Sequence, residues 1–286
     1  MNTWYLFSLA ALFLMGTQRF LYKVSAERRC NTAWTTFSFM ATVCCISSFL
    51  FIFSHRSVMN PGILLLVGLV NSASFSLGTI THIEALKLVP AGIVYPVVRM
   101  NAALVVIFSI LFFKDRLSPF QIAGIVLALF VILVVTRGMA RGKLAHIDSK
   151  KGLLLTFASL VFGAVASISS KFAAIYTDEL AFMAVTYFMG MFFSLGFRKR
   201  LAVGKPPLSR ADAWIVGFLM GVINFGGFYC FLKALSLGAL SVVIPIVGMH
   251  FIFGIVLSAL IYKEKLTPER ILGISLAVVS VVLLRL

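Results

Sequence analysis

Lys-Asp-Arg-Leu-Ser-Pro at residues 114–119 and Lys-Glu-Lys-Leu-Thr-Pro at residues 263–268 are one hexapeptide written twice, 149 residues apart. Charge sign and hydroxyl are kept at every place, although three of the six residues change. A glycine follows each proline at the same spacing, Gly124 in the first copy and Gly273 in the second. The match spreads from Pro96–Ala128 to Pro245–Ala277, where 13 of 33 positions are identical, among them Met100/Met249 and Ser109/Ser258. Two apolar helices resemble one another by composition alone, whereas a polar loop does not. Upstream the match weakens: Ala85-Leu86 meets Ala234-Leu235, and Lys23 meets Lys171 at a shift of 148. The chain therefore reads as two copies of one unit, 1–145 and 146–286. The longest gap between apolar runs, the basic stretch 137–150, lies at their junction.

The flanks of the repeated loop are apolar. Of 286 residues, 61% are hydrophobic, against roughly 45–50% in soluble domains, and 12% are charged. Mean hydropathy is +1.06. No soluble core absorbs that much apolar surface, so soluble and disordered classes are excluded. Runs long enough to cross a bilayer core of about 30 Å are read at 4–22, 33–53, 61–83, 92–113, 119–136, 151–175, 180–197, 211–232, 240–262 and 268–285. They are too continuous for barrel strands, and helices satisfy their own backbone hydrogen bonds in hydrocarbon. The expected fold is an all-α integral membrane protein of ten transmembrane helices. Five helices per copy turn the second copy over, giving inverted repeats, an arrangement that marks secondary transporters with a site at the repeat interface. Spans 1, 3, 4, 6, 8 and 9 are expected to line a central cavity, with spans 5 and 10 peripheral. The first run lacks a preceding Lys or Arg and a good cleavage site, so it is expected to remain as a helix.

A pair of five-helix copies, each with a proline-bearing helix (Pro96, Pro245), the loops 114–119 and 263–268, and a glycine-containing helix (Gly124, Gly273), resembles the EamA branch of the drug/metabolite transporter superfamily. The resemblance covers essentially the whole chain. It implies transport and leaves the cargo open, because that family moves amino acids, nucleotide-sugars, sugar phosphates, amines and drugs.

Within the repeated loops, Pro119 and Pro268 suit the first turn of a helix, with Ser118 and Thr267 as N-caps. Asp115 and Glu264 are expected to be solvated partners of the neighbouring Lys114, Arg116, Lys263 and Lys265. Ionisable groups inside apolar runs are costly, which makes each a candidate for function. Arg99 lies seven residues into its span, about 10 Å deep at 1.5 Å per residue, with Tyr95 one turn back on the same face. It reads as a substrate contact, a structural ion pair with Glu84, or a snorkelling cation. Arg19 and Lys171 divide between cavity lining and helix-end anchoring. His250 matches Asn101 in the other copy, and either packs by hydrogen bonding or meets an anion. Asn71 and Asn224, the latter with Tyr229 beyond it, read as cavity wall or as helix–helix hydrogen bonding. Gly217 and Gly221 suggest close internal packing. The candidate substrate-binding set is Arg99, Tyr95, Asn101, His250, Asn71, Asn224, Tyr229, Arg19 and Lys171.

No paired intramembrane carboxylates, nucleophile elbow or phosphate loop points to an enzyme. The four cysteines make no framework, His82 and Glu84 have no metal-ligand companions, and no cofactor is expected. The net charge of +16 sits in short gaps between runs, which argues for orientation in a bilayer rather than nucleic-acid binding. The embedded charges are mainly positive and the first span carries no acid. A small anionic or zwitterionic metabolite is thus favoured over the alternatives, a cationic multidrug exporter or a non-transporting subunit. The expected setting is the plasma (bacterial inner) membrane, as monomer or homodimer, with a coupling ion or counter-substrate left open. With Lys151, Arg270 and Arg285 at the span ends included, gaps 1–2, 3–4, 5–6, 7–8 and 9–10 carry 17 Lys and Arg and the other side carries 5, which places both termini away from the cytoplasm.

Overall fold

The structure, a computed structural model, describes residues 3–28, 30–55, 57–58, 60–89, 91–139, 149–196, 210–263 and 267–286. Helices occupy these residues as α1 (Thr3–Glu27), α2 (Thr32–Phe53), α3 (Pro61–Leu88), α4 (Ala91–Arg99), α5 (Asn101–Phe108) with a π-helical turn (Ser109–Phe113), α6 (Pro119–Met139), α7 (Ser149–Tyr176), α8 (Glu179–Gly196), α9 (Arg210–Leu237), α10 (Leu240–Gly248), α11 (His250–Tyr262) and α12 (Pro268–Arg285). Seven segments are long and apolar enough to cross a membrane, two of them broken (Ile93–Phe113 and Leu240–Tyr262), and Pro119–Val135 and Ile271–Arg285 are shorter apolar helices. The 25-residue α1 is diluted by Gln18, Arg19 and Lys23 and is not among the seven. Large apolar side chains such as Ile52, Leu111 and Val278 are exposed around the outside, where a soluble protein would not tolerate them.

Expected as single helices, spans 4 and 9 are each split in two, at the matched residues Met100 and Met249. Both breaks switch to tighter bonds, Met100 N–H to Val97 O (3.1 Å) and Met249 N–H to Ile246 O (3.2 Å). In each copy a proline stands four residues earlier, Pro96 or Pro245, and removes an N–H from the ladder. The ends of both spans match as well. Lys114 (φ 54°) and Lys263 (φ 52°) are left-handed, a conformation that costs most side chains energy and here ends the helix in both copies.

Helix packing maps onto itself when the copies are exchanged. α1 packs on α9 as α3 packs on α7; α2 meets α9 as α8 meets α3; α1 meets α10 and α11 as α7 meets α4 and α5. The pairs α2–α8 and α6–α12 are each their own counterpart. Small residues permit the close approaches. A Cβ on Gly217 would lie 2.6 Å from Thr35 O, and one on Gly221 would lie 2.5 Å from Thr42 Cβ, so this glycine pair does pack inside the chain, α9 on α2. Ser280 Oγ donates to Gly124 O (2.8 Å) across α12 and α6.

The loop 114–119 corrects one expectation. Asp115 is not a solvated partner of its neighbours: its Oδ2 accepts from Ser109 Oγ (2.5 Å), Ser241 Oγ (2.6 Å) and Ser241 N–H (3.2 Å). A carboxylate at the start of α10 complements that helix's N-terminal N–H groups, and a partner 126 residues away could not be seen from local charge order. Ser118 forms a reciprocal capping box with Gln121 (both 3.1 Å). Thr267 stands at the equivalent place with no side-chain cap bond. Glu264 and Lys265, and most of the basic stretches 137–151 and 198–210, lie outside the described residues.

Candidate functional site

A cavity of about 520 Å³ lies at the repeat interface, a size suited to a small organic molecule. Seven of the nine candidate residues line it: Arg19, Asn71, Tyr95, Arg99, Asn101, Asn224 and His250. Among its described lining residues there is no Asp, Glu or Lys.

Lining residues come from spans 1, 3, 4, 6, 8 and 9, as expected. The expectation was too narrow, however, because Phe39 and Met40 of α2 and Thr186 and Tyr187 of α8 also take part. Those two helices pack on each other across the pseudo-symmetry axis and so close the cavity wall between α3 and α9. Span 5 contributes Ile132, and no described residue of span 10 reaches the cavity.

The guanidinium groups meet at the break in span 9. Arg19 Nε donates to His250 Nε2 (3.0 Å), while His250 Nδ1 lies 2.7 Å from Val247 O. A carbonyl only accepts and an arginine N–H only donates, so these partners assign the proton to Nδ1 and leave the imidazole neutral. One residue on, the Arg99 guanidinium carbon stands 5.2 Å from the centre of the Phe251 ring, a cation–π contact. Among the described residues no carboxylate pairs with Arg99, so the ion pair with Glu84 does not form. Tyr95 stands against His82, ring centres 5.4 Å apart.

Both buried amides bond across helices and face the cavity. Asn71 Nδ2 donates to Ala166 O (2.7 Å), Ser169 Oγ (2.9 Å) and Ser170 Oγ (3.0 Å) on α7. Asn224 Nδ2 donates to Gln18 Oε1 (2.8 Å) on α1, and its own oxygen accepts from Tyr187 OH on α8. The two arrangements are counterparts: an amide on the third span of one copy holds the first span of the other. Asn101 abuts Gly163, where a Cβ would fall 2.7 Å from its Nδ2, and Gly16 abuts the backbone of the matched His250, where a Cβ would fall 2.7 Å from its carbonyl oxygen.

Lys171 and Tyr229 are placed elsewhere. Lys171, 8% exposed, donates to Leu235 O (2.5 Å) and Gly238 O (2.9 Å), unsatisfied carbonyls at the end of α9. Tyr229 lies under the Lys233 ammonium (5.8 Å), which is paired with Glu179 (2.6 Å). These contacts and the Asp115–Ser241 bonds join α7, α8, α9 and α10 just beyond Ser170, the last lining residue of α7. Along α1 and α3 the lining continues the other way, to Tyr22 and Ile83. Gln18, Tyr22 and Tyr187 were not singled out as site residues. A tyrosine in an apolar run reads equally as interface belt, and only the bond to Asn224 distinguishes Tyr187.

The sequence profile of the EamA-like transporter family matches residues 2–137 and again 150–286. No curated protein matches the chain. A crystal structure superposes over 99% of this chain and 96% of its own with a TM-score of 0.79, at 16% identity, a likeness of fold.

Proposed function

The chain belongs to the EamA-like transporter family, and from that premise we propose that it is a secondary transporter that carries a small anionic or zwitterionic metabolite by alternating access. One observation carries the choice of cargo: Arg99 lines the interface cavity with no carboxylate partner among the described residues. A partly buried guanidinium in a cavity without described acids attracts a counter-charge, and a substrate carboxylate or phosphate supplies it in bidentate geometry. A cationic drug would meet two arginines and no described acid.

The ten-crossing, inverted-repeat topology is part of this reading, supported by the exchange symmetry of the packing and by two broken spans that each count as one crossing. So are the plasma-membrane setting and the orientation with basic gaps inward. In that orientation the cavity opens toward the cytoplasm, and the contacts of Lys171, Asp115 and Glu179–Lys233 close the outer end. The test is anion flux into proteoliposomes. Arg99→Ala and Arg99→Lys both insert and both lose transport by tenfold or more, the lysine variant because it lacks the planar fork. Wild-type flux in both variants makes Arg99 structural and removes the support for an anionic cargo.

A further inference from the structure

We propose that the cavity takes a doubly charged organic anion, held at its charged end by Arg19 and Arg99 together. This rests on the anion-carrier reading and narrows it. Both guanidinium groups lie against the first turn of α11, Arg19 on His250 (3.0 Å) and Arg99 over Phe251 (5.2 Å). Neither charge is cancelled within the described residues. His250 is neutral in its bonded tautomer, and no described lining residue is acidic. Arg19 donates a hydrogen bond only through Nε, and its guanidinium carbon stands 5.4 Å from the centre of the Tyr22 ring, which leaves both of its Nη groups without a described acceptor. Arg99 has no described hydrogen-bond acceptor at all. A singly charged ligand would balance only one of the two guanidinium charges in a cavity with no described acid. A zwitterion would do worse, since its ammonium meets no described carboxylate.

A separate observation comes from the packed pair α3 and α8. Ser72 Oγ and Thr186 Oγ1 are buried, their residues 3% and 8% exposed, and neither has a hydrogen-bond partner. Both residues line the same cavity. Their oxygens sit in the seam between those helices, Thr186 Oγ1 3.7 Å from where a Cβ on Gly68 would lie and Ser72 Oγ 3.8 Å from one on Gly190, so they belong to the packing of α3 on α8 and the two arginines alone select the ligand. Doubly charged organic anions come in two forms, a dicarboxylate or a phosphate monoester.

Isothermal titration of the purified full chain with tartrate, glycerol phosphate, glycerate and serine tests this. Tartrate or glycerol phosphate is expected to bind about tenfold or more tighter than glycerate or serine, and the stronger of the two identifies the charged group. Arg19→Gln and Arg99→Gln each lower that affinity by about tenfold, with Arg19→Lys, which keeps the charge, as the variant least prone to misfold. Glycerate or serine binding as tightly as either dianion, with dependence on Arg99, overturns the dianion and leaves the anion carrier standing. An unchanged dianion affinity in both Arg19 variants also overturns it. If no anion binds the folded protein, both readings fall.

Discussion

Arg99 and Gly248 occupy the same place in the two copies, and the difference between them sets the chemistry of the cavity. Arg99 fills its side with a cation, whereas a Cβ on Gly248 would have no atom within 4 Å. Both residues line the cavity, so the scaffold is symmetric and the charge is not. Gly248→Leu therefore projects into open space. The expected outcome is a folded protein, since replacing a helical glycine gains up to about 1 kcal/mol of propensity, with transport lost by tenfold or more. Flux and melting temperature measured on the same preparation check this; full flux would show that the substrate path avoids α10. Arg99 was legible in the sequence because a cation ten ångströms into an apolar run demands a reason. Asp115 was misread because its partner, Ser241, is distant in the chain. Lys171 was legible as an expensive group, but not as one spent on the carbonyls of another helix.

Among the elements, α9 shows how small residues set distance. Gly217 and Gly221 let α2 approach until Thr35 O, Phe39 O and Thr42 become the walls. Gly221→Ala must displace Phe39 O, which lies 2.9 Å from the new methyl, and backbone yields less readily than a side chain. The expected loss is about 1–3 kcal/mol of stability, seen as a lowered melting temperature in detergent. Gly62→Ala, with nothing within 4 Å, serves as the control and should not fall. Equal behaviour of the two variants would mean that α2 and α9 are not held at this distance. The glycine spacing made this contact readable in advance. The breaks at Met100 and Met249 were not: Pro96 and Pro245 were visible, but a proline inside an apolar run is equally compatible with a kinked, continuous helix. Only the shift to Val97 and Ile246 as acceptors separates the two, and it is this shift that starts α11 at His250.

For the whole molecule, the repeat was legible because the loops 114–119 and 263–268 are polar. The participation of α2 and α8 in the cavity was not, because the residues they contribute, Phe39, Met40, Thr186 and Tyr187, carry no charge or amide and enter through packing. Orientation follows from charge rather than from packing. Of the Lys and Arg in the gaps and at the span ends, Lys151, Arg270 and Arg285 among them, 17 fall on one side and 5 on the other, the few being Arg56, Lys114, Arg116, Lys233 and Arg285. The gaps are short enough for the positive-inside rule to hold. Three of the five on the sparse side are tied into the fold: Lys233 is paired with Glu179, Lys114 is the left-handed residue that ends its span, and Arg285 lies 5.8 Å from the Tyr5 ring. The side that carries these residues also carries both termini, since Tyr5 OH donates to Val281 O (3.3 Å) and so brings the first and last helices together there. Both termini should face away from the cytoplasm. A C-terminal alkaline phosphatase fusion is then active and a green fluorescent protein fusion dark. The reverse pattern would put the 17 cations outside and turn the open end of the cavity, with Arg19 and Arg99, toward the exterior.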